Sequence, residues 1–212
     1  MRNYIVGFGL IATLLLSGCS FGSSVEEELS NLLSDLNKAE EQYRGAQEEL
    51  NDLEKSEQAL FNDMMKLTQE QHDELETKVI EVEESLEKRL ALIEEEEESM
   101  KKAVESVGSF DKIVKKAEDE TKSEIEKLKV AMNDRYDFHS VFIDEYKKLT
   151  ELQRELYALL DAEETELPKL QELVDEVNEQ NEVVIASITS FNDATATVNE
   201  IKEDIFSQLK EK

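Results

Sequence analysis

Apolar residues recur along this chain in alternating steps of three and four, a spacing that places them on one face of an α-helix. Four such series are present, at residues 29–67, 75–107, 110–159 and 170–209. Charged residues fill most of the remaining positions, and the single proline is Pro168. The pattern therefore predicts four long amphipathic helices, at residues 25–66, 69–107, 110–167 and 169–211.

Residues that favour helix starts and stops lie at the ends of these series. Ser24 is a good N-cap, and three glutamates follow it in the first turn, where the helix dipole favours negative charge. Gly108 and Ser109 are suited to ending one helix and capping the next. Pro168 ends or restarts a helix, because its ring has no N–H to donate and clashes with the preceding turn.

The first two apolar series differ in phase, and the residues between them admit two interpretations. Joining the series in one helix requires three successive steps of four. Thr68 and Gln71, by contrast, have the spacing of a capping box, which marks the start of a new helix. We therefore predict a tight turn near residues 66–69 and an all-α, antiparallel up-and-down four-helix bundle. Without that turn, the same pattern predicts a three-helix antiparallel coiled coil.

The predicted third helix is much longer than its neighbours. At 1.5 Å per residue, residues 110–167 extend about 85 Å, against about 54 to 65 Å for the other three helices. We expect this helix to overhang the bundle or to bend near Asn133 and Asp134, where polar residues interrupt its apolar face.

Charge narrows the range of functions. The chain has 52 acidic and 24 basic residues and a formal net charge of −28. A nucleic-acid partner is excluded, because binding phosphates requires clustered lysine and arginine. The acidity does not indicate disorder, since 39% of the residues are hydrophobic and they follow a helical period.

The N-terminus has the features of a bacterial lipoprotein precursor. A basic start at residues 1–3 precedes a 13-residue apolar run, which is shorter than the roughly 20 residues that a membrane span needs. The run ends at Leu16, and Leu16-Ser17-Gly18-Cys19 resembles a lipobox, in which a cysteine receives a diacylglycerol thioether and becomes the first mature residue. Cys19 is the only cysteine, which excludes a disulfide within the chain.

This interpretation divides the chain into a removed signal peptide (1–18), a lipidated tether (19–24) and a helical bundle (25–212). The expected location is the outer face of the cytoplasmic membrane, anchored by the lipid and exposed to the cell wall. The five tether residues after Cys19 reach at most ~18 Å, so the bundle should stand close to the bilayer. Apart from the lipid on Cys19, we expect no cofactor.

The sequence offers little for catalysis. Di-iron bundles use Glu-x-x-His, but Gln69 precedes His72 and Tyr136 precedes His139 at that spacing. No serine has the glycine-flanked context of a nucleophile elbow. We therefore predict no catalytic residue, no metal ligand and no small-molecule substrate, and hence a protein that is not an enzyme.

Three other groups of residues have structural interpretations. The five adjacent glutamates at 94–98 spread around a helix and are predicted to be solvated. Phe138 and Phe142 fall on the apolar face of the third helix, so the aromatic group at 136–146 is predicted to belong to the core rather than to stack on sugars. Asn181 lies on the apolar face of the fourth helix, where an interhelical hydrogen bond would fix the register.

A group of lysines lies around the predicted turn at Gly108. Its members are Lys101, Lys102, Lys112, Lys115 and Lys116. In an up-and-down bundle this turn lies at the end that carries the lipid. We therefore predict a membrane-proximal basic rim, which would favour anionic head groups by up to ~1 kcal/mol per lysine.

Residues 190–202 contain the pattern Phe-Asn-x-x-Thr-x-x-x-Asn-x-x-Lys. Together with the lipobox and the helices poor in glycine and proline, this segment resembles the YkyA-type lipoproteins of low-GC Gram-positive bacteria, a family named for cell-wall binding. The resemblance spans nearly the whole chain. It implies an α-helical envelope lipoprotein with no known catalytic residues, and it assigns a role only to Cys19.

Together these observations predict a non-enzymatic helical module that is anchored by lipid and binds cell-wall material or an envelope protein. Teichoic acids are polyanions that an acidic domain repels, which favours protein or peptidoglycan partners. The alternative is an extracytoplasmic holdase chaperone, which would expose apolar surface at the overhang of the third helix.

Overall fold

The computed structural model describes residues 24–162 and 167–210. This part of the chain contains six α-helices and a 3₁₀ turn at Gln69–Gln71, and it contains no β-strand. The helices are α1 (Val25–Ala39), α2 (Glu41–Met64), α3 (His72–Val107), α4 (Phe110–Val114), α5 (Asp119–Asp161) and α6 (Leu167–Lys210). The lipobox residues Leu16, Ser17, Gly18 and Cys19 lie outside the described residues.

Four long helical stretches alternate in direction, and the protein is an all-α helical bundle. The stretches are α1 with α2, then α3, α5 and α6. Gln47 meets Glu96 and Glu57 meets Arg89 across α2 and α3, while Arg135 meets Thr195 and Glu145 meets Gln180 across α5 and α6. Residue numbers thus rise along one helix and fall along its neighbour, which is the antiparallel order. Hence the predicted fold class is confirmed.

The turn after α2 separates the first two long helical stretches. The chain leaves α2 after Met64, and α3 begins at His72. Gln71 accepts a hydrogen bond from the backbone N–H of Thr68 at 3.2 Å, as in a capping box. Because the chain turns here, the three-helix alternative is wrong. The Ser24 N-cap is also present, since its hydroxyl accepts from the N–H of Glu27 at 3.1 Å.

The first long stretch is interrupted at Glu40, which the sequence pattern did not predict. A side chain from α3 enters the helix there: the hydroxyl of Ser99 accepts from the N–H of Tyr43 at 3.2 Å and donates to the carbonyl of Ala39 at 2.7 Å. The hydroxyl thus replaces the usual bond between those two backbone groups, and inserting a side chain into the ladder kinks a helix. Residues 25–66 therefore form two helices.

The predicted bounds of the third helix, residues 110–167, are wrong. Gly108 keeps a right-handed conformation (φ −56°) rather than ending α3 in the left-handed region, and the Ser109 side chain makes no capping bond. The chain instead forms the short α4, and α5 starts only after Glu118, whose backbone is extended (φ −70°, ψ 158°).

The predicted bend or overhang of this helix is wrong as well. α5 continues without a break through Asn133 and Asp134. At its C-terminal end, Tyr157 packs with Met64 and Val79 in one apolar cluster, so the other helices cover this end.

The core divides into three apolar clusters along the bundle. The largest surrounds the start of α1 and the short α4, and it includes Leu29, Phe110 and Ile205. A middle cluster contains Ile93 and Phe142. The third lies under the turn after α2. We call the end with α4 the proximal end and the end with the α2–α3 turn the distal end.

Candidate functional site: the cleft between α2 and α6

Buried charged residues lie among the apolar clusters, and the first pair joins α1–α2 to α5. Arg135 donates to both carboxylate oxygens of Glu40, at 2.7 and 3.0 Å, and to the Thr195 hydroxyl at 2.9 Å. The Tyr136 hydroxyl donates to Glu40 at 2.7 Å, and burial, aided by that carboxylate, raises the pKa of Tyr136. The guanidinium also lies 4.8 Å from the Phe191 ring centroid. These contacts satisfy both charges inside the core.

A second polar pair lies between α3 and α5. Glu96 is fully buried; one of its oxygens lies 2.7 Å from Nε2 of His139, and the other accepts from Gln47 at 2.6 Å. The His139 ring contacts those of Tyr43 and Phe191, with centroids 5.6 and 5.3 Å away. The predicted solvation of the five glutamates is therefore wrong for Glu96, which the period of α3 turns toward the core.

The third polar group lies nearest the distal end and centres on Arg89, whose side chain is 2% exposed. Arg89 donates to Glu57 at 2.5 Å, to the Tyr146 hydroxyl at 2.7 Å and to Gln153 at 3.0 Å. The Tyr146 hydroxyl in turn donates to Glu54 at 2.7 Å. Burial, together with the Glu54 carboxylate, raises the pKa of Tyr146 well above its usual value, so this hydroxyl keeps its proton.

Sequence reasoning missed these buried charges, although a signal was present. The apolar series of α3 continues in steps of three and four through Val82, Leu86, Ile93 and Met100, but its places at 89 and 96 hold Arg and Glu. In the first series, Glu57 likewise takes the place of an apolar residue, between Leu53 and Leu60. A charged residue at such a place, with an opposite charge in another helix, indicates a buried pair.

A cleft of about 930 Å³ opens between α2 and α6, beside the Arg89 group. Its first wall is residues 47–61 of α2, and its second wall is residues 174–188 of α6. The back is formed by residues 142–157 of α5, and Arg89 of α3 reaches the floor. We call this space the α2–α6 cleft.

Side-chain size explains why the cleft opens only in this half of the bundle. Closer to the proximal end, Tyr43 of α2 and Phe191 of α6 bridge the gap, with ring centroids 5.9 Å apart. The α6 wall of the cleft instead carries valines and asparagines, including Val177, Asn178 and Asn181. These short side chains do not reach α2, so the space stays open.

The prediction that Asn181 is a core residue fixing the register is wrong. Its side chain is exposed and lines the cleft. The residues that face α5 lie on either side of it along the helix: Val184 is 7% exposed, and Gln180 donates to the carboxylate of Glu145 at 2.8 Å. Asn181 therefore lies on the wall of the cleft rather than in the core.

The aromatic group of α5 is mostly buried. Tyr136, His139, Phe142 and Tyr146 are each at most 5% exposed, so they have no free faces for a sugar ring. Phe138 is different, with 42% of its surface exposed, and the prediction that it belongs to the core is wrong. The buried face of α5 passes through Arg135, His139 and Phe142 instead.

The five lysines of the predicted rim lie at the proximal end, around α4 and the end of α3. Lys116 lies 2.6 Å from Glu28 at the start of α1, so this corner is beside the first described residues. Lys101 and Lys102 pair with Glu97 and Glu98 on their own helix. Lys112 and Lys115 are exposed. The acidic partners offset much of the local positive charge, and contact with lipid stays a prediction.

None of the helices within residues 24–162 and 167–210 is long and apolar enough to cross a membrane. Likewise, the described histidine, aspartate and glutamate side chains form no group of three placed to hold a metal ion.

A family model described as "Putative cell-wall binding lipoprotein", named YkyA, matches residues 24–208. The chain belongs to the YkyA family. Within this family, the "Uncharacterized lipoprotein YkyA" of Bacillus subtilis (strain 168) is 28% identical over 205 residues, covering 95% of this chain and 90% of that protein. The resemblance inferred from residues 190–202 and the lipobox is confirmed.

A solved structure shares the fold. It is the 1.6 Å crystal structure of a conserved protein of unknown function from Staphylococcus aureus, with a TM-score of 0.72. The match covers 86% of this chain and 91% of the other, at 17% sequence identity. At that identity the likeness concerns the arrangement of the helices.

Proposed function

We propose that this protein is a non-enzymatic, lipid-anchored interaction module that uses the α2–α6 cleft to bind cell-wall material or another envelope protein. The observation that carries the proposal is the cleft itself. Its walls are fixed by the core on either side, while Asn178, Asn181 and Ile185 are exposed within it. A concave surface that joins apolar walls to several amide side chains is typical of a binding site.

The position of the cleft agrees with anchoring at the other end. The described chain begins at Ser24, and α1 and α2, with the kink at Glu40 between them, extend from there toward the turn after Met64. At 1.5 Å per residue, the start of the cleft at Gln47 lies about 35 Å along the chain from that beginning. With a diacylglycerol on Cys19, the proximal end would face the bilayer and the cleft would face the wall.

The holdase alternative has less support. It depended on apolar surface at an overhanging third helix, whereas the distal end of α5 is covered by Met64 and Val79. Large exposed apolar side chains are instead scattered over the described helices, for example Val130 on α5 and Ile80 on α3. Single exposed side chains of this kind are normal on folded proteins.

Photo-crosslinking in cells tests the proposed function. A photoreactive amino acid is placed at Asn181 in the cleft, and, as a matched control, at Asn192, which is exposed on the same helix outside the cleft. Sacculi and membrane proteins are then isolated separately. We expect adducts in one of these fractions from position 181 and far fewer from position 192. Equal labelling from both positions would count against the cleft as the binding site.

The lipid anchor has its own test. Replacing Cys19 with Ala removes the only thiol that can form the thioether, so the protein should no longer be retained in the membrane fraction. Continued retention after extraction with high salt would contradict anchoring by that residue.

A further inference from the structure

The α2–α6 cleft has the dimensions of a helix-binding groove. Its walls are segments of equal length, residues 47–61 and 174–188, on antiparallel helices. Each wall therefore extends about 21 Å, which is close to four turns of an α-helix. The space of about 930 Å³ between them is bounded at the proximal end by the Tyr43–Phe191 ring contact.

The lining of the cleft is divided between an apolar and a polar side. The α6 wall and the back supply most of the apolar residues, among them Val174, Val177, Leu149 and Leu156. The α2 wall supplies mainly amide and charged side chains, including Asn51, Glu54 and Gln58. An occupant that satisfies both sides must be apolar along one face and polar along the next, which is the property of an amphipathic helix.

The floor of the cleft does not require a charged ligand. The Arg89 guanidinium is already bonded to Glu57, Tyr146 and Gln153, and its charge is balanced within the core. The charge of the occupant is therefore set by the walls rather than by the floor.

The helix segments that carry those walls are strongly acidic, and all of their acids except Glu54 and Glu57 lie outside the lining of the cleft. Residues 47–61 and 174–188 contain nine acidic residues and one basic residue, Lys55. Lys55 pairs with Asp52 at 3.2 Å, and Glu57 and Glu54 both pair with Arg89, at 2.5 and 3.6 Å. On the α6 wall, Glu179 and Glu182 are exposed beside the asparagines of the cleft. This concentration of negative charge favours a cationic occupant and disfavours anionic polymers.

From this combination of length, apolar lining and acidic walls, we infer that the cleft binds a cationic amphipathic helix of a protein partner. Apolar residues of the partner at i, i+3, i+4 and i+7 would lie against α5 and α6, and its lysines or arginines would lie against the acidic rims. The inference deepens the proposed function and rests on it, because it selects a protein partner over wall polymer.

The test uses the full chain held in phosphatidylcholine nanodiscs and two labelled peptides of about 14 residues, the length of one wall. Both contain only leucine and lysine in equal numbers. One places leucine with helical periodicity, and the other alternates the two residues. Binding is followed by fluorescence anisotropy at low and at physiological salt. Asn181→Lys places a positive charge in the cleft, and Asn192→Lys places the same charge outside it.

The helical-period peptide should bind saturably and more weakly as salt rises. Asn181→Lys should weaken that binding at least tenfold, while Asn192→Lys should change it less than twofold. Thermal unfolding of both variants, followed by circular dichroism, checks that the exposed substitutions leave the fold intact.

Four results would overturn the inference. Equal binding of the alternating peptide, or equal weakening by both variants, would show attraction to charge alone. No saturable binding of the helical-period peptide would exclude this class of occupant. If neutral muropeptides bind instead and Asn181→Lys weakens them, the cleft binds wall material, so the helix inference fails while the proposed function stands.

Discussion

Glu40→Gln removes one charge from a buried ion pair and keeps the shape of the side chain. Glu40 accepts from Arg135 at 2.7 and 3.0 Å and from the Tyr136 hydroxyl at 2.7 Å, and each side chain of the ion pair is 6% exposed. In the variant, the guanidinium stays buried without a counter-charge, and the new amide group directs donors toward donors. Breaking a buried pair from one side costs about 3–5 kcal/mol.

Urea unfolding followed by circular dichroism measures this loss. The control is Glu41→Gln, which removes the same charge from the next residue, where the side chain is exposed. We expect the control to change the free energy of unfolding by less than about 0.5 kcal/mol. For a chain of this size, a loss of 3–5 kcal/mol lowers Tm by roughly 6–20 °C.

A compensating variant separates the charge effect from loss of packing. Replacing Glu40 with Leu, Arg135 with Met and Tyr136 with Phe leaves no unpaired charge or hydroxyl in this layer. It should therefore regain most of the stability lost in Glu40→Gln. The reasoning is refuted if Glu40→Gln costs no more than Glu41→Gln, or if the triple variant is as unstable as the single one.

Three further predictions use the same unfolding measurement. Gly45→Ala should stabilise the protein by about 1 kcal/mol, because Gly45 lies within α2 and an added Cβ meets nothing within 4 Å. Gly108→Ala should give a smaller gain, because an added Cβ is unobstructed there too and the backbone is right-handed. A loss of stability at either position would contradict the argument. Ser99→Ala should cost about 1–3 kcal/mol, since the two backbone groups it bonds at the kink lose their partner, and an unchanged urea midpoint would show that they find another. Glu96→Ala should lower the free energy of unfolding by at least about 2 kcal/mol, because it leaves the buried His139 without its hydrogen-bond partner. Glu95→Ala, on the exposed side of α3, should be nearly neutral. Similar effects at both positions would count against the buried pair.

The apolar periodicity by itself determined the fold class, and the capping-box spacing of Thr68 and Gln71 decided between three and four long helices. The periodicity succeeded because a bundle helix buries one face, and steps of three and four place that face in the sequence. Local rules succeeded at the Ser24 cap and the Thr68–Gln71 box, which each involve residues three apart. They failed at Gly108 and Ser109, where the chain forms the short α4 instead of starting the next long helix. Family membership also followed from short motifs in the chain.

Only the tertiary structure decided how the polar residues of the helices are used. Glu96 looked like one of five solvated acids, and its burial depends on His139, which is 43 residues away. The kink at Glu40 likewise depends on Ser99 in another helix. Asn181 kept the correct spacing for the core but faces a gap, because the distance between α2 and α6 is set by side chains elsewhere, above all Tyr43 and Phe191. Periodicity identifies the buried face of one helix, whereas a cleft depends on how far apart two helices lie.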